Sequence, residues 1–269
     1  MATTWRFSAN ITTLWTGQPF QQRIAAASDA GFTRIECAYP YAFDPASLRR
    51  ASDAAGVTWS MINLPSGDSA RGERGLACRP DRAEAFRASV ETGLRYAQVL
   101  GAGRVTCMVG LVSEGEDPSA SWALAVERLR WAARRLDAHG IVLQVEALNP
   151  VDAPGFLLAR PAHAAALADD VGAPNVAIQF DAYHALHTED DVLDALRSCG
   201  DRLGHVHLAD LPGRSRPGTG PLPVAALLAA LDELGFAGDV GLEYALASGG
   251  TEAFAWLQPW HRHLRPDAA

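Results

Sequence analysis

Four side chains that could bind a metal ion follow short apolar runs in the second half of the chain. They are Glu146, Asp181, His207 and Glu243, and they are separated by 35, 26 and 36 positions. The run before each of them is β-prone and mostly apolar, which predicts a buried strand whose last residue emerges at the carboxyl end. The spacing is about one strand plus one helix, so a barrel of parallel strands would bring all four side chains to one rim. The pattern therefore predicts a metal site.

Metal binding is favoured over four unrelated surface positions because of the energetic cost of the alternative. A single acid at a strand end is ordinarily a solvated loop residue. Three carboxylates that converge over an apolar barrel need a cation to offset their desolvation, and without one at least one pKa must rise. Carboxylates combined with one imidazole suit a single Mn²⁺ or Mg²⁺ ion, with Co²⁺ or Zn²⁺ as alternatives. No cysteine ends these runs, which argues against a thiolate zinc site.

Strand-forming and helix-forming segments alternate along the whole chain and would position these side chains. The predicted strands cover 5–9, 33–37, 57–62 and 104–108, followed by the four runs that end at the candidate ligands. The predicted helices cover 19–30, 44–55, 81–100, 119–139, 161–171, 190–198 and 224–234, with a last one from about residue 251. Eight such units predict an α/β fold, a single (β/α)8 TIM barrel over residues 1–269. A doubly wound open sheet is the alternative, but it would gather ligands at one switch point rather than from four strands.

Local signals define two of the connecting segments. The second helix is expected to have Asp44 as its N-cap and Pro45 in its first turn, and to end before Gly56. The Gly- and Arg-rich stretch 65–79 is too polar for the core and is expected to be a long loop over the rim.

Composition limits the classes of partner. A chain of 269 residues with 48% apolar content can bury a large core, and its formal charge of −8 argues against a nucleic acid or an anionic membrane as partner. Its four cysteines show no zinc-like spacing and are expected to be reduced thiols. The first residues lack the pattern of a signal peptide, and no run of 18 apolar residues exists. We therefore expect a cytoplasmic protein that acts on a small-molecule substrate.

Two further side chains near the predicted ligands have open alternatives. His184 lies three residues after Asp181 and is either an ordinary loop histidine or a contact to the ligands or the substrate. His205 shares a strand face with His207, one layer deeper, and is either a partner of that ligand or a core histidine.

Arginines on the predicted rim loops could recognise a substrate. Arg214 follows the seventh strand, and Arg71 and Arg74 lie in the long loop after the third. A solvated charge is the commoner role of an arginine, but these positions are where a substrate carboxylate or hydroxyl groups would be bound.

In these residues and the stretches around them, the chain resembles the hydroxypyruvate isomerase family. That family belongs to the xylose isomerase-like barrels, which include sugar isomerases and epimerases. The matching stretches run nearly from end to end and are 7–10, 63–65, 72–75, 145–149, 181–184, 204–207, 211–220 and 243–244. Some relatives have Gln at the position of His207. This chain also has Ala245 and Pro221 where the family often has a lysine and an acidic residue.

The resemblance implies both a site and a reaction. The four candidate ligands would bind one divalent metal, and Glu146 and Glu243 would face each other across the substrate as proton-transfer groups. Asn63, in a matching stretch, is assigned to substrate binding together with His184, Arg214 and Arg74. The family's reaction interconverts hydroxypyruvate and tartronate semialdehyde, or a 2-oxo-tetronate and its isomer, through an enediolate. The resemblance further implies a homo-oligomer.

Other functions use the same or related folds. A ketose 3-epimerase would share the whole ligand set, and a dehydratase of cyclic polyols would remove water instead. A non-catalytic sugar-binding barrel gives no reason for two opposed glutamates. An abasic-site endonuclease would need several metals and a basic surface facing DNA.

Overall fold

Eight parallel strands close a barrel in chain order in the computed structural model, which describes residues 5–112 and 115–264. The strands are β1 Arg6–Asn10, β2 Arg34–Cys37, β3 Thr58–Asn63, β4 Arg104–Cys107, β5 Val142–Glu146, β6 Val176–Asp181, β7 Leu203–Leu208 and β8 Asp239–Leu242. Strand β8 pairs with β1 and completes the closure. The predicted TIM barrel is confirmed, and the open sheet is excluded.

Helices follow the strands and cover the outside of the barrel. They are α1 Gln22–Asp29, α2 Pro45–Ala55, α3 Ala83–Leu100, α4 Pro118–Asp137, α5 Pro161–Val171, α6 Ala182–Leu186, α7 Val192–Ser198 and α8 Val224–Glu233. Short 3-10 helices cover Ser69–Arg71, Pro80–Arg82 and Gly200–Arg202, and a longer one covers Thr251–His263. None of the helices within the described ranges has the length and apolar character needed to cross a membrane. The interpretation of residues 1–269 as one domain stays a prediction.

The start and end of α2 follow from local chemistry. The Asp44 carboxylate accepts a hydrogen bond from the Ser47 backbone N–H, and Pro45 occupies the first turn, where a missing N–H costs nothing. Gly56 ends the helix with a φ of 67°, the left-handed conformation that glycine adopts most easily. The predicted boundaries of this helix are confirmed.

Several elements begin or end a few residues away from their predicted bounds, and β7 continues one residue past His207, to Leu208. Three other differences concern the site or the kind of element. Strand β8 ends at Leu242, so Glu243 is the first residue after it rather than its last. Residues 182–186 form the short helix α6 where a loop was expected, because the Asp181 carboxylate accepts from the N–H groups of Tyr183 and His184 and caps it. The last segment is a 3-10 helix that contains Pro259, a residue that cannot donate a backbone hydrogen bond.

Part of the barrel interior is polar. Ser8 and Ser60 lie on strands that are not neighbours, yet their hydroxyl oxygens are 2.8 Å apart, so both side chains point inward. The same interior contains Glu36, Thr106, Gln144, Gln179 and His205, each at most 2% exposed. Barrels of this type are usually filled by branched apolar side chains. The polar residues therefore need partners inside the barrel. Thr106 donates to Gln179 and Ser60 donates to Glu36, whereas Gln144 Nε2 has no hydrogen-bond partner among the described residues.

The opposite, amino-terminal end of the barrel is held by an ion-pair network centred on Asp239. Arg34 donates to both oxygens of this carboxylate, at 3.0 and 2.7 Å, and Arg104 Nη1 lies 3.5 Å from Oδ2. The Asp239 side chain is only 6% exposed. Removing one partner of a buried pair leaves the remaining charges uncompensated.

Asp239→Asn is therefore expected to lower the free energy of unfolding by about 3 kcal/mol, measured by urea denaturation. The control is Asp53→Asn, which removes an ion pair with Arg49 whose side chains are 56% and 47% exposed. That exposed pair is expected to contribute less than about 1 kcal/mol. Equal effects of the two substitutions would contradict a structural role for Asp239.

Candidate active site

Three of the predicted ligands meet at the carboxyl end of the barrel. One donor atom from each of Glu146, Asp181 and His207 lies within 4.8 Å of the others, and all three residues are buried. The strand register explains the meeting, because Asp181 pairs with His207 across β6 and β7, and Glu146 pairs with the second residue before Asp181. Three neighbouring strands thus bring these side chains together at the carboxyl end of the barrel.

Glu243, the first residue after β8, lies next to His207 and thus beside the cluster formed by Glu146, Asp181 and His207. Its Oε2 atom is 3.4 Å from His207 Nδ1, and its Oε1 atom accepts a hydrogen bond of 3.2 Å from Asn10 Nδ2. The grouping whose donor atoms all lie within 4.8 Å of one another contains Glu146, Asp181 and His207 without Glu243. Direct metal ligation by Glu243 stays a prediction.

Arg214 reaches into the same cluster. Its Nη1 atom donates to Asp181 Oδ2 at 3.1 Å and to Glu243 Oε2 at 2.6 Å, and Nη2 lies 2.9 Å from His184 Nε2. Its guanidinium carbon also stands 4.5 Å from the centre of the Tyr183 ring, in cation–π geometry. Arg214 therefore joins two of the predicted ligands with a third predicted site residue, His184.

The loop that presents Arg214 is organised by Asp210, which sequence reasoning missed. The Asp210 carboxylate accepts backbone hydrogen bonds from Leu211, Gly218, Gly220 and Leu222, at 2.9 to 3.0 Å. A Cβ atom on Gly220 would lie 2.1 Å from the Leu211 carbonyl oxygen and 2.6 Å from Asp210 Oδ1, so only glycine fits there. Arg214 itself has a φ of 56°, a left-handed conformation that few residues other than glycine adopt.

His184 is a buried member of the cluster rather than a loop histidine. Its Nδ1 atom accepts from the Asn149 backbone N–H at 3.1 Å, and its Nε2 atom is 3.6 Å from Asp181 Oδ2. Burial lowers the pKa of His184, which favours the neutral imidazole.

The pKa values of the two glutamates, Glu146 and Glu243, are shifted in opposite directions. Burial, and next the charge of Asp181, raise the pKa of Glu146 above its ordinary value. Burial alone would raise the pKa of Glu243 too, but His207 and Arg214 outweigh it and lower that pKa. Burial opposes charge on Arg214 as well, yet Glu243 and Asp181 raise the net pKa of its guanidinium. Of these two glutamates, Glu146 is therefore the one whose charge the protein compensates less.

The donor set fits a divalent cation. Two or three carboxylates and an imidazole nitrogen are hard to borderline ligands, and their spacing permits a shared ion. The uncompensated charge of Glu146 is what a cation at this place would offset. A second grouping with similar spacing, Glu36, His205 and His207, lies deeper in the barrel. Sequence analysis did not identify Glu36, although an acid within the short predicted strand β2 was a usable signal.

The remaining predicted site residues lie to one side of the cluster. Arg74 lines an open cavity of about 300 Å³ together with Tyr39, Ser66, Ser69, Gly72, Glu73, Met108 and Leu148. Asn63 is buried and its side chain contacts Tyr39, which lines this cavity. Burial, and to a smaller extent the charge of Glu146, raise the pKa of the Tyr39 hydroxyl. Arg74 and Asn63 are thus not brought into the cluster of acids, and their contact with a substrate stays a prediction.

The loop over residues 65–79, which lines part of this cavity, is held by contacts from outside the barrel. Arg128, on α4, is buried and donates to the carbonyl oxygens of Leu76 and Arg79, at 2.8 and 2.6 Å. Glu73 is paired with Arg82 and accepts from the Asp68 backbone N–H at 2.7 Å. The loop that was expected over the rim is therefore held at its carboxyl end. The expectation that all of 65–79 lies outside the core is wrong for residues 75–78, which are buried.

Comparisons with known proteins agree with the fold. Residues 24–260 match the family model described as xylose isomerase-like TIM barrel. The chain is 36% identical to the hydroxypyruvate isomerase of Escherichia coli (strain K12), over 95% of this chain and 99% of that protein. It is also 36% identical to the 2-oxo-tetronate isomerase of Cupriavidus necator, over 95% of this chain and 98% of that protein. A crystal structure described as an AP endonuclease, family 2, from Brucella melitensis superimposes with a TM-score of 0.90 at 36% identity, over 95% of this chain and 98% of that one.

Proposed function

The chain belongs to the hydroxypyruvate isomerase family of xylose isomerase-like TIM barrels and is an isomerase, and from that premise we propose that it interconverts a small hydroxy-keto acid and its aldehyde isomer with one divalent metal ion. Hydroxypyruvate and a 2-oxo-tetronate are the two candidate substrates. The observation that carries the proposal is the convergence of Glu146, Asp181 and His207 within 4.8 Å of one another at the barrel rim, with Glu243 Oε2 3.4 Å from His207 Nδ1.

The protein groups needed for this isomerisation are a base, an acid and a group that stabilises negative charge. In this proposal one of the two glutamates, Glu146 or Glu243, removes a proton from the carbon that carries the hydroxyl group. The same or the other glutamate returns a proton to the neighbouring carbon, and the proton of the hydroxyl group passes to the former carbonyl oxygen. A bound Mn²⁺ or Mg²⁺ would supply Lewis acidity that makes the first proton removable. Arg214 carries a charge that stabilises the enediolate formed between the two transfers.

The carboxylate of the substrate is proposed to point into the open cavity beside Glu146. Arg74 provides a cation there, and Ser66 and Tyr39 provide hydroxyl groups. A guanidinium binds a carboxylate through two parallel hydrogen bonds, which selects an acid over a neutral sugar. This geometry supports a hydroxy-keto acid as substrate.

Two known alternatives have less support. A ketose 3-epimerase would use the same glutamates, but nothing in its substrate requires Arg74 as a partner for a carboxylate. An endonuclease acting on DNA would bind phosphates through clustered basic residues. The chain has 31 acidic against 23 basic residues, which argues against that role.

A proton-exchange screen tests the proposed function. Metal-loaded protein is incubated in deuterated water with hydroxypyruvate, tartronate semialdehyde, a 2-oxo-tetronate and a series of neutral ketoses, and products are followed by NMR. We expect deuterium at the carbon next to the carbonyl group, and an isomerised product, only for the acids. Inversion at C3 of a neutral ketose would establish an epimerase instead, and binding without exchange would contradict an enzyme of this class.

In the same assay Arg74→Met is expected to raise KM for the acid about tenfold or more, since it removes a charge-assisted hydrogen bond from the substrate. Arg71→Met is the matched control, because Arg71 lies in the same loop but is not among the residues that line the cavity. Equal effects of the two substitutions would mean that the cavity does not hold the carboxylate.

A further inference from the structure

A buried carboxylate lies directly beneath His207. Glu36, on β2, has no solvent exposure, and its two oxygens face two imidazoles on β7. Oε1 lies 2.7 Å from His207 Nε2, and Oε2 lies 2.9 Å from His205 Nε2. Both are ion-pair distances, and in this arrangement neither ring N–H is aligned with its oxygen as in a regular hydrogen bond. The carboxylate therefore crosses the inside of the barrel to reach the strand that provides a predicted metal ligand.

The barrel leaves room for this contact at one glycine. A Cβ atom on Gly241, in β8, would lie 2.2 Å from Glu36 Oε1 and 2.6 Å from His207 Cδ2. Any other residue would push the carboxylate and the ring apart. The same tight packing leaves little space for an additional atom between Glu36 and His207.

The other ring nitrogen of His207 faces the rim. Nδ1 lies 3.4 Å from Glu243 Oε2 and 3.3 Å from Gln179 Nε2. Thr106 donates to Gln179 Oε1 at 2.6 Å, which leaves the Gln179 amide nitrogen turned toward His207. The Gln179 N–H needs an acceptor and therefore favours a lone pair on Nδ1, whereas the Glu243 carboxylate favours a proton there. A metal ion bound at Nδ1 would take the place of that proton and leave the ring proton on Nε2.

Asn10 links the buried carboxylate to the rim. Its Nδ2 atom donates to Glu36 Oε1 and to Glu243 Oε1, each at 3.2 Å. Asn10 is 1% exposed, so water does not compete for these two bonds. Glu36 thus fixes His207 directly and Glu243 through one side chain.

We propose that Glu36 is a positioning residue that accepts the Nε2 proton of His207 and thereby presents Nδ1 to the metal ion. The proposal rests on the metal site of the proposed function. A carboxylate that holds the distal nitrogen of a ligating histidine sets the ring's tautomer and orientation, and its loss typically weakens metal binding about 10- to 100-fold.

Calorimetric titration with Mn²⁺ tests this role. Glu36→Gln keeps the shape of the side chain but replaces one accepting oxygen with a donating amide, and it is expected to raise the Kd for Mn²⁺ about 10- to 100-fold. The matched control is Ser60→Ala, which removes a 3.2 Å hydrogen bond to Glu36 Oε2 without touching His207. The control is expected to bind Mn²⁺ within about twofold of the unaltered protein, because the Nε2 contact stays in place.

A second measurement needs no change to Glu36. In ¹⁵N-labelled, Mg²⁺-loaded protein, His207 is expected to show a protonated Nε2 and an unprotonated Nδ1, with the signals assigned by their loss in His207→Gln. A proton on Nδ1 with Nε2 unprotonated would overturn the proposal even if Glu36→Gln failed to fold.

The outcomes separate this proposal from the one on which it rests. If the unaltered protein bound no Mn²⁺, the metal site itself would be wrong, and the role of Glu36 toward it would fall as well. If the unaltered protein bound one ion and Glu36→Gln bound it equally well, only the positioning role would be wrong. Binding of two ions, one of them lost in Glu36→Gln, would make Glu36 a ligand and overturn the proposal.

Discussion

Glu146→Gln is expected to lose about 10³-fold or more in turnover while keeping the barrel fold. Glutamine has the shape of glutamate but cannot accept or return a proton. Glu146 is also the acid whose pKa is raised by burial and by Asp181, so the neutral amide removes a source of repulsion. The variant should therefore be at least as stable as the unaltered protein, as thermal unfolding would show in metal-free buffer.

Glu243→Gln should show the same loss of turnover for a different structural reason. Glu243 is held by His207 and Arg214, and its amide analogue would leave the Arg214 guanidinium with one carboxylate partner, Asp181. The control for both variants is Glu233→Gln, whose side chain is 66% exposed. The control should retain normal turnover. Near-normal activity in either active-site variant would refute proton transfer by two glutamates.

Removal of divalent ions is the second change with a large expected effect. Dialysis against a chelator should abolish turnover, and Mn²⁺ or Mg²⁺ should restore it, because the metal supplies the acidity of the substrate carbon. Ligand binding to the folded state also stabilises it, so added Mn²⁺ should raise the Tm. Full turnover in protein shown by elemental analysis to hold far less than one ion per chain would exclude a metal-dependent reaction.

Asp181→Asn provides the matched comparison for this stabilisation. The substitution removes a carboxylate charge from the cluster but keeps an oxygen that can cap α6. In this variant Mn²⁺ should raise the Tm much less than in the unaltered protein. An equal rise would place the stabilising ion elsewhere on the surface.

The sequence was sufficient to predict the strands that end at the site. The runs before Glu146 and Asp181 are mostly apolar and β-prone, and both strand ends were predicted at the residue where the structure has them. The end of β8 was predicted one residue late, at Glu243. The helix α6 was missed because five residues are too few to show a helical period, and its start depends on one capping carboxylate.

Contacts between distant segments could not be predicted in this way. Glu36 is 26 positions from Asn10 and lies on β2, yet its partners His205 and His207 are on β7, across the closed barrel. Asp210 could be found on the rim, but not as the acceptor for four backbone N–H groups. Local periodicity reports which face of a strand is buried, and the partner of a buried charge depends on packing over the whole barrel.

The most direct measurement of the central claim is a crystal structure of the Mn²⁺-loaded protein with anomalous data collected near the manganese absorption edge. The account predicts one anomalous peak per chain, within coordination distance of Glu146, Asp181, His207 Nδ1 and Glu243. A peak bound by Glu36 and His205, a peak outside the rim, or no peak at saturating Mn²⁺ would contradict it.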